Sequence, residues 1–330
     1  LSGCAAVGPD FTTPQPASTA GAYAMAGETN PSVAAIGAKS AGEWWALFRS
    51  PELDATVRQA LAGSHSLEAA RATLQQAQAN VRGQDGKLTG EASTSLNYEH
   101  INFAAFGFSG FPGVNLTNPT VSLYSFGASG KYDFDLFGGV RREHESLAAR
   151  AEFQAFQTDA AYLTLTAQVA SQAFAIASLR AQIQAWEDIT ASDRANLDLV
   201  SKAYRLGGGT KLDVSTVETE LANDEGQLAP LRQQLAAARH QLALLVGQAP
   251  ADWSPPDFDL DHIAQPDQVP VQLPSELVHS RPDIRAAESR LHAATAEIGV
   301  AQADLYPKLT LSASFAQSAL HPGDLFSYDK

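Results

Sequence analysis

From about residue 138 onward, apolar positions recur at helical spacing for more than a hundred residues. After Phe137-Gly138-Gly139 the pattern runs to about Leu206, and Tyr162, Leu165, Val169, Ile176, Leu179, Ile183, Trp186, Leu197, Val200 and Tyr204 mark its seam. That predicts one helix of roughly 67 residues, about 100 Å long at 1.5 Å per residue. A return helix follows, with Val214, Val217, Leu221, Leu228, Leu231, Leu235, Ala238, Leu242 and Leu245 at alternating spacings of three and four. Seams of this kind specify supercoiled packing. Thr190 and Asp193 interrupt the first seam, and Asp224 is the single charged member of the second. The two aspartates read either as polar positions that set the register or as charges facing a lumen.

Elsewhere the period is two. Glu91–Ile101 and about Thr120–Leu136 alternate as strands, separated by a loop containing Phe103, Phe106, Phe108 and Phe111. A third strand is expected at about Pro307–Gln317. Weak alternation with aromatic ends fits an outer-membrane β-hairpin, and a soluble hairpin gives a similar pattern.

An internal repeat organises these pieces. The segment from Leu67 aligns without gaps to that from Ile284, an offset of 217 residues. Ala69 matches Ala286, Leu74 matches Leu291, Ala77 matches Ala294, Val81 matches Ile298 and Ser95 matches Ser312. In both copies an Ala-rich helix runs into a strand-like alternation.

Joining the two long helices is Gly207-Gly208-Gly209-Thr210-Lys211-Leu212-Asp213, which is short enough to force an antiparallel hairpin. The glycines do not make a phosphate cradle, because the spacing to a Gly-Lys-Ser/Thr group is wrong and no strand precedes them. An exposed Gly-rich tip is a docking point, or else a turn without a partner.

The formal net charge of −14 argues against a nucleic-acid partner, which needs clustered Lys and Arg. An acidic chain either lines a cation-tolerant pore or stays soluble by its surface charge. No run of 18 apolar residues occurs, so membrane insertion would require a closed barrel. The one cysteine, Cys4, lies in Leu1-Ser2-Gly3-Cys4, a lipobox-like phrase in which the thiol would receive diacylglycerol. The alternative is an incidental or buried thiol. The upstream part of a signal peptide is missing, so the sequence is expected to begin inside one. Residues 5 to about 43, rich in Pro, Gly, Ser, Thr and Ala, read as an extended tail.

Catalytic chemistry finds no footing. The eight histidines show no metal-ligand spacing, no serine occupies a nucleophile motif, and most Glu and Asp fall on polar helix faces. Neither a cofactor nor a metal is expected, and the chain does not read as an enzyme.

An aromatic strand, a Gly-Gly break, a long hairpin and a repeat of the unit resemble the TolC-like outer-membrane efflux proteins. The resemblance is nearest to the lipid-anchored outer-membrane factors of RND multidrug pumps. It is carried by Val7-Gly8-Pro9-Asp10-Phe11, by Tyr132-Asp133-Phe134-Asp135-Leu136-Phe137-Gly138 before Arg141-Arg142, and by Tyr204-Arg205-Leu206-Gly207 before Leu212-Asp213-Val214. Arg281-Pro282-Asp283-Ile284 and Ile298-Gly299 to Tyr306-Pro307 complete it. The resemblance implies a mainly α fold with a membrane β portion. Each subunit of a homotrimer gives a long antiparallel coiled-coil hairpin to an α-barrel and strands to a shared twelve-stranded β-barrel. It also implies a periplasmic adaptor docked at Gly207–Asp213, an inner-membrane RND pump, contact with outer-membrane lipid, and lipidation at Cys4. The protein would then be a passive conduit exporting small molecules from the periplasm.

On this reading 1–43 is a lipidated tail, 44–90 holds the first-repeat helices, and 91–137 is the β-hairpin. Residues 138–250 form the helical hairpin, 251–281 an equatorial linker, and 282–330 the start of the second repeat. The fourth strand and second hairpin of the family are expected to be absent before Lys330, leaving the second repeat incomplete. Gly90 stands where the second copy has Pro307, a departure expected to loosen the first helix-to-strand transition. A type I protein-secretion channel shares the fold but generally lacks the lipid. A structural coiled-coil envelope lipoprotein would not need the aromatic hairpin or the repeat, and a periplasmic enzyme would need an active site that the sequence does not display.

Overall fold

A helix begins at Pro51 because Ser50 stands before it with extended backbone, its hydroxyl accepting from the Leu53 amide at 3.3 Å. The computed structural model describes residues 6–15, 34–36, 42–102, 120–266, 269–271 and 280–327. Among the described residues the long helices are α1 (Pro51–Gly63), α2 (His65–Thr89), α3 (Gly139–Arg205), α4 (Lys211–Val246) and α5 (Pro282–Ala303). The strands are β1 (Ala34–Ile36), β2 (Glu91–Asn102), β3 (Thr120–Phe134), β4 (Val269–Val271) and β5 (Leu309–Ala319). Among the described residues no helix is long and apolar enough to cross a membrane. The chain divides into two units, one comprising 1–13, 75–152 and 288–330, the other 14–74 and 153–287.

In the second of these units the core forms around Trp45, whose indole NH donates to Asp54 Oδ1 at 3.0 Å. Leu53, Val57 and Ala60 of α1 pack there against Leu165, Val169 and Ile176 of α3, Leu242 and Val246 of α4, and Phe258. Each large side chain buried here stabilises the fold by about 1.5–3 kcal/mol relative to exposure. The neighbouring Trp44 donates to Thr166 Oγ1 at 3.2 Å, and Arg180 donates to the Phe258 carbonyl at 3.0 Å. At the end of α4, Gly247 adopts a left-handed φ of 77° and lies on the backbone of Gly63 so closely that a Cβ would overlap its carbonyl.

Two ion pairs fix how α3 and α4 run. Arg194 reaches Glu225 at 2.7 Å, and Glu187, seven residues earlier on α3, meets Arg232, seven residues later on α4, at 2.8 Å. The helices are therefore antiparallel. Pro230 lies inside α4, where it removes one backbone hydrogen bond.

The tail read at 5–43 includes a short strand. β1 pairs in parallel with β4, Ala34 opposite Val269 and Ile36 opposite Val271. Three residues without periodicity gave no signal for this pairing. The linker at 251–281 likewise contains β4 and a 3-10 turn at Leu260–His262.

In the other unit, β2, β3 and β5 form one antiparallel sheet in the order β2-β3-β5. Its registers run from Glu91↔Lys131 to Asn102↔Thr120, and from Phe134↔Leu309 to Tyr124↔Ala319. β3 ends at Phe134, two residues before the predicted end, and β5 is displaced two residues beyond the predicted third strand. β3 stops there because the Asp135 carboxylate accepts from the amides of Val140 and Arg141 at 3.1 Å each, which assigns it to the start of α3.

Gly90 has its own physical reason. It takes a left-handed φ of 87° between α2 and β2, where an added Cβ would press on the Tyr132 ring and the Lys131 carbonyl. Proline, locked near −65°, could not adopt that turn, so glycine here defines the transition rather than loosening it.

Candidate functional site

Three features could carry function, and each is built from residues that the sequence singled out. The first is the sheet. Side chains alternate across a strand, so the pairing register assigns every residue to a face. One face carries Ser93, Ser95 and Asn97 of β2, Ser125, Ser129, Lys131 and Asp133 of β3, and Thr310, Ser312, Ser314 and Ser318 of β5. Hydroxyls meet on it, with Ser93 and Ser129 oxygens 2.8 Å apart and Thr310 donating to Asp133 at 2.5 Å.

The opposite face carries Leu96, Tyr98, Tyr124, Phe126, Tyr132, Phe134, Leu309, Leu311 and Phe315. Tyr98 packs on Tyr124, Phe126 on Phe315 and Tyr132 on Phe134, with ring centroids between 4.9 and 6.5 Å. Leu96 is nevertheless 74% exposed and Leu311 62%. An apolar face this extensive, uncovered among the described residues, needs a cover other than water. The aromatic loop residues Phe103, Phe106, Phe108 and Phe111 lie outside the described residues.

The second feature is a clamp on the segment that follows Cys4. Cys4 itself lies outside the described residues. Val7 donates its amide to the Phe137 carbonyl at 3.0 Å. Arg142, on the first turn of α3 and only 5% exposed, donates to the carbonyls of Val7 and Gly8 and to Asp10 Oδ1 at 3.1, 3.3 and 2.7 Å. Its remaining nitrogen donates to Glu145 Oε2 at 2.8 Å. Glu145 in turn meets His292 Nε2 at 2.9 Å, and His292 stacks on Phe11 with centroids 4.4 Å apart. Burial raises the Glu145 carboxyl, but the hydrogen bonds from Arg142 and His292 outweigh it and leave it below the ordinary carboxylate range. Gly8 packs on Gly299 so tightly that a Cβ would strike its Cα. Phrases separated by well over a hundred residues thus converge at one place.

The third feature is the hairpin tip. Gly207, at φ 83°, closes α3: its amide donates to the Tyr204 carbonyl at 3.0 Å, and that of Gly208 to Ala203 at 2.9 Å. This is a Schellman ending. Thr210 opens α4 with a capping box. Its hydroxyl accepts from the Asp213 amide at 3.2 Å, while Asp213 Oδ2 accepts from the Thr210 amide at 2.7 Å. The Thr210 hydroxyl bond holds the Asp213 carboxyl below its ordinary range. Gly207, Thr210 and Asp213 are therefore occupied in shaping the loop. Leu212, 75% exposed, and Leu206, 88% exposed, are the apolar groups it presents. Leu206 fell outside the predicted site because it ends a helical seam in the sequence. Gly208, Gly209 and Lys211 fill the remainder of the turn.

Asp193 and Asp224 come together. Asp193 Oδ2 is buried without a hydrogen-bond partner, and burial first, then the neighbouring Asp224 carboxyl, raise the Asp193 carboxyl above its ordinary range. Among the described residues no group of three or more His, Cys, Asp or Glu side chains could hold a metal ion.

A two-faced sheet joined in sequence to a long helical hairpin defines a helix-rich protein of the outer-membrane channel type. The family model of the outer membrane efflux protein matches residues 56–248 and 273–329. The chain belongs to that family, and so it is an efflux protein of the outer membrane. It is similar to the pyoverdine export outer membrane protein OpmQ of Pseudomonas aeruginosa, 31% identical over 99% of this chain and 68% of that protein. It is also similar to the probable efflux pump outer membrane protein TtgC of Pseudomonas putida, 28% identical over 99% of this chain and 66% of that one. The solved outer-membrane channel OprN superposes with a TM-score of 0.79 at 28% identity, covering 98% of this chain and 70% of its own. The chain thus spans about two thirds of the length of the curated relatives it matches.

Proposed function

We propose that the chain forms one subunit of a homotrimeric passive conduit, which carries small molecules from the periplasm through the outer membrane without chemistry of its own. The observation that carries this reading is the division of the sheet, over the stretch Tyr124–Phe134 where β3 pairs with β5, into a hydroxyl face and an apolar face. In a shared barrel the serines and threonines line an aqueous lumen, while Leu96, Tyr98, Phe126, Leu311 and Phe315 meet lipid. β2 and β5 are the two outer strands of the sheet, and pairing them with further strands would satisfy their outward backbone groups.

The same reading assigns α3 and α4 to a coiled-coil hairpin of a periplasmic tunnel. Helix–strand succession in α2–β2 and α5–β5, at the 217-residue offset, supports an internal repeat. The tip Gly207–Asp213, with Leu206 added, would dock a periplasmic adaptor coupled to an inner-membrane RND pump. The pump supplies the energy. Cys4 would carry the lipid, and the clamp on Val7–Phe11 would hold the tethered segment against α3 and α5. Export of pyoverdine is what the name of one relative states, and a small organic cargo is the corresponding proposal here.

The test is conductance. The intact protein, purified from outer membranes and added to planar bilayers, is expected to open stable ion-conducting pores. Protein that inserts without conducting would contradict the conduit.

A further inference from the structure

Strands β2, β3 and β5 carry four Asp, Glu or Lys residues: Glu91 and Glu99 on β2, Lys131 and Asp133 on β3. The register puts all four on the hydroxyl face, and none among the leucines and aromatics opposite. Three of them gather where α2 runs into β2 and β3 runs toward α3, with Glu91 directly across from Lys131. The next three rows of that face are uncharged: Ser93 with Ser129 and Ser314, Ser95 with Gly127 and Ala316, Asn97 with Ser125 and Ser318. A network fixes the charged end. Lys131 Nζ lies 3.0 Å from Asp133, whose carboxylate also accepts from the Thr310 hydroxyl at 2.5 Å. These groups line one cleft with Lys308 and Asp304, themselves paired at 2.8 Å, and with Asp135 and Glu143. Arg141 matches Asp135 at 3.2 Å, and Glu143 accepts from the Gln84 amide at 2.6 Å. With Glu91 added, carboxylates outnumber the two lysines and Arg141.

We propose that this band is a charge-selective collar, the level of the conduit at which cationic solutes pass in preference to anions. It rests on the conduit reading, in which the hydroxyl face looks into the lumen. In the trimer the band repeats around the axis, so every solute leaving the tunnel for the barrel meets the same acidic excess. A water-filled passage with walls of low dielectric focuses such a field and raises the local concentration of the opposite charge. Conduction also demands that a passing solute leave again. Asp133 and Asp304 are already engaged by lysines, so a cation is drawn to the band without being trapped on it. Lys131 moderates the field, and Glu91 opposite it strengthens the field. The uncharged rows beyond neither attract nor repel a charged solute, which confines selection to this one level. Glu99, across from Leu123, stands apart from the cluster at the far end of the face.

Reversal potentials of the intact protein in planar bilayers, measured across a KCl gradient, read the preference directly. The parent is expected to pass potassium over chloride. Near about 0.1 M salt, where the Debye length is about 10 Å, Glu91→Lys should lower the permeability ratio at least about twofold, and Lys131→Glu should raise it by a similar factor. Glu91→Gln and Lys131→Gln should give smaller shifts in the same directions. In about 1 M salt all of these differences should shrink, because screening shortens to about 3 Å. Glu91 and Lys131 are both exposed, so none of these changes disturbs a packed interior. Glu99→Lys, the same charge reversal away from the cluster, should shift the ratio less than Glu91→Lys does. A conducting parent without cation preference, ratios that ignore the changes at 91 and 131, or a Glu99 effect as large as that of Glu91 would overturn the collar and leave the conduit standing. A parent that inserts without conducting would remove both.

Discussion

Arg142 donates to the carboxylate of Asp10 from 2.7 Å away, although 132 residues separate them in the chain. The guanidinium is buried and the carboxylate is largely exposed, so the arginine is the partner whose loss matters. Arg142→Ala leaves the Val7 and Gly8 carbonyls and Glu145 without their shared donor. We expect a loss of about 1–3 kcal/mol, discounted for the solvent around Asp10. Limited proteolysis should then cut near residues 6–15 faster than in the parent. Arg142→Lys should rescue little, because an ammonium cannot reproduce the fork that serves these acceptors.

At the tip, Thr210→Ala removes the hydroxyl that caps α4 and should cost about 1 kcal/mol in local helix stability. The partner carboxyl, Asp213, has its pKa lowered on folding, so its contribution is present above its unfolded value of about 3.9 and fades as pH falls through the folded one. Amide protection at Thr210–Val214 should therefore drop in acid, and in Asp213→Asn this pH dependence should vanish.

Leu206→Asp and Leu212→Asp change groups that already face water, so the protein should fold and assemble as before. Crosslinking to the adaptor should fall at least about tenfold, the equivalent of 1.4 kcal/mol. Unchanged crosslinking with both leucines replaced would take the tip out of the coupling.

Gly247→Ala places a methyl group on the backbone of Gly63 and forces a left-handed turn on an L side chain. A cost of roughly 1–3 kcal/mol is expected from strain and displacement of α1. Trp45→Ala, by contrast, empties the middle of the core and should cost about 3–5 kcal/mol. Denaturant midpoints for the two variants should rank in that order.

Much of this fold was legible because its elements are long. A seam kept over α3 and α4 announces helix at every turn, and the termini of α3 carry their own punctuation, Gly139 at one end and Gly207 at the other. The β2–β3 alternation was also readable, but the two chemical faces depend on a register that single strands do not reveal. β1 and β4 were invisible because three residues cannot establish a period. Asp193 and Asp224 each stood out as seam interruptions, yet their meeting follows from the hairpin register, which the ion pairs Arg194–Glu225 and Glu187–Arg232 define. Arg142 read as part of a phrase; its four acceptors become evident only when Val7–Asp10 returns to α3.

The central claim, a wall with one wet and one lipid-facing side, is tested most directly by single cysteines placed in turn from Leu311 to Ala316. Cys4 is the one cysteine of this sequence, and its replacement by serine, with that of any other native cysteine of the intact protein, provides the background. In the intact, inserted protein, cysteines at 312, 314 and 316 should react with a charged water-soluble thiol reagent and reduce conductance. Those at 311, 313 and 315 should resist that reagent and react with a lipid-soluble one. Reactivity that does not alternate along β5, or that alternates in the opposite phase, would contradict the conduit.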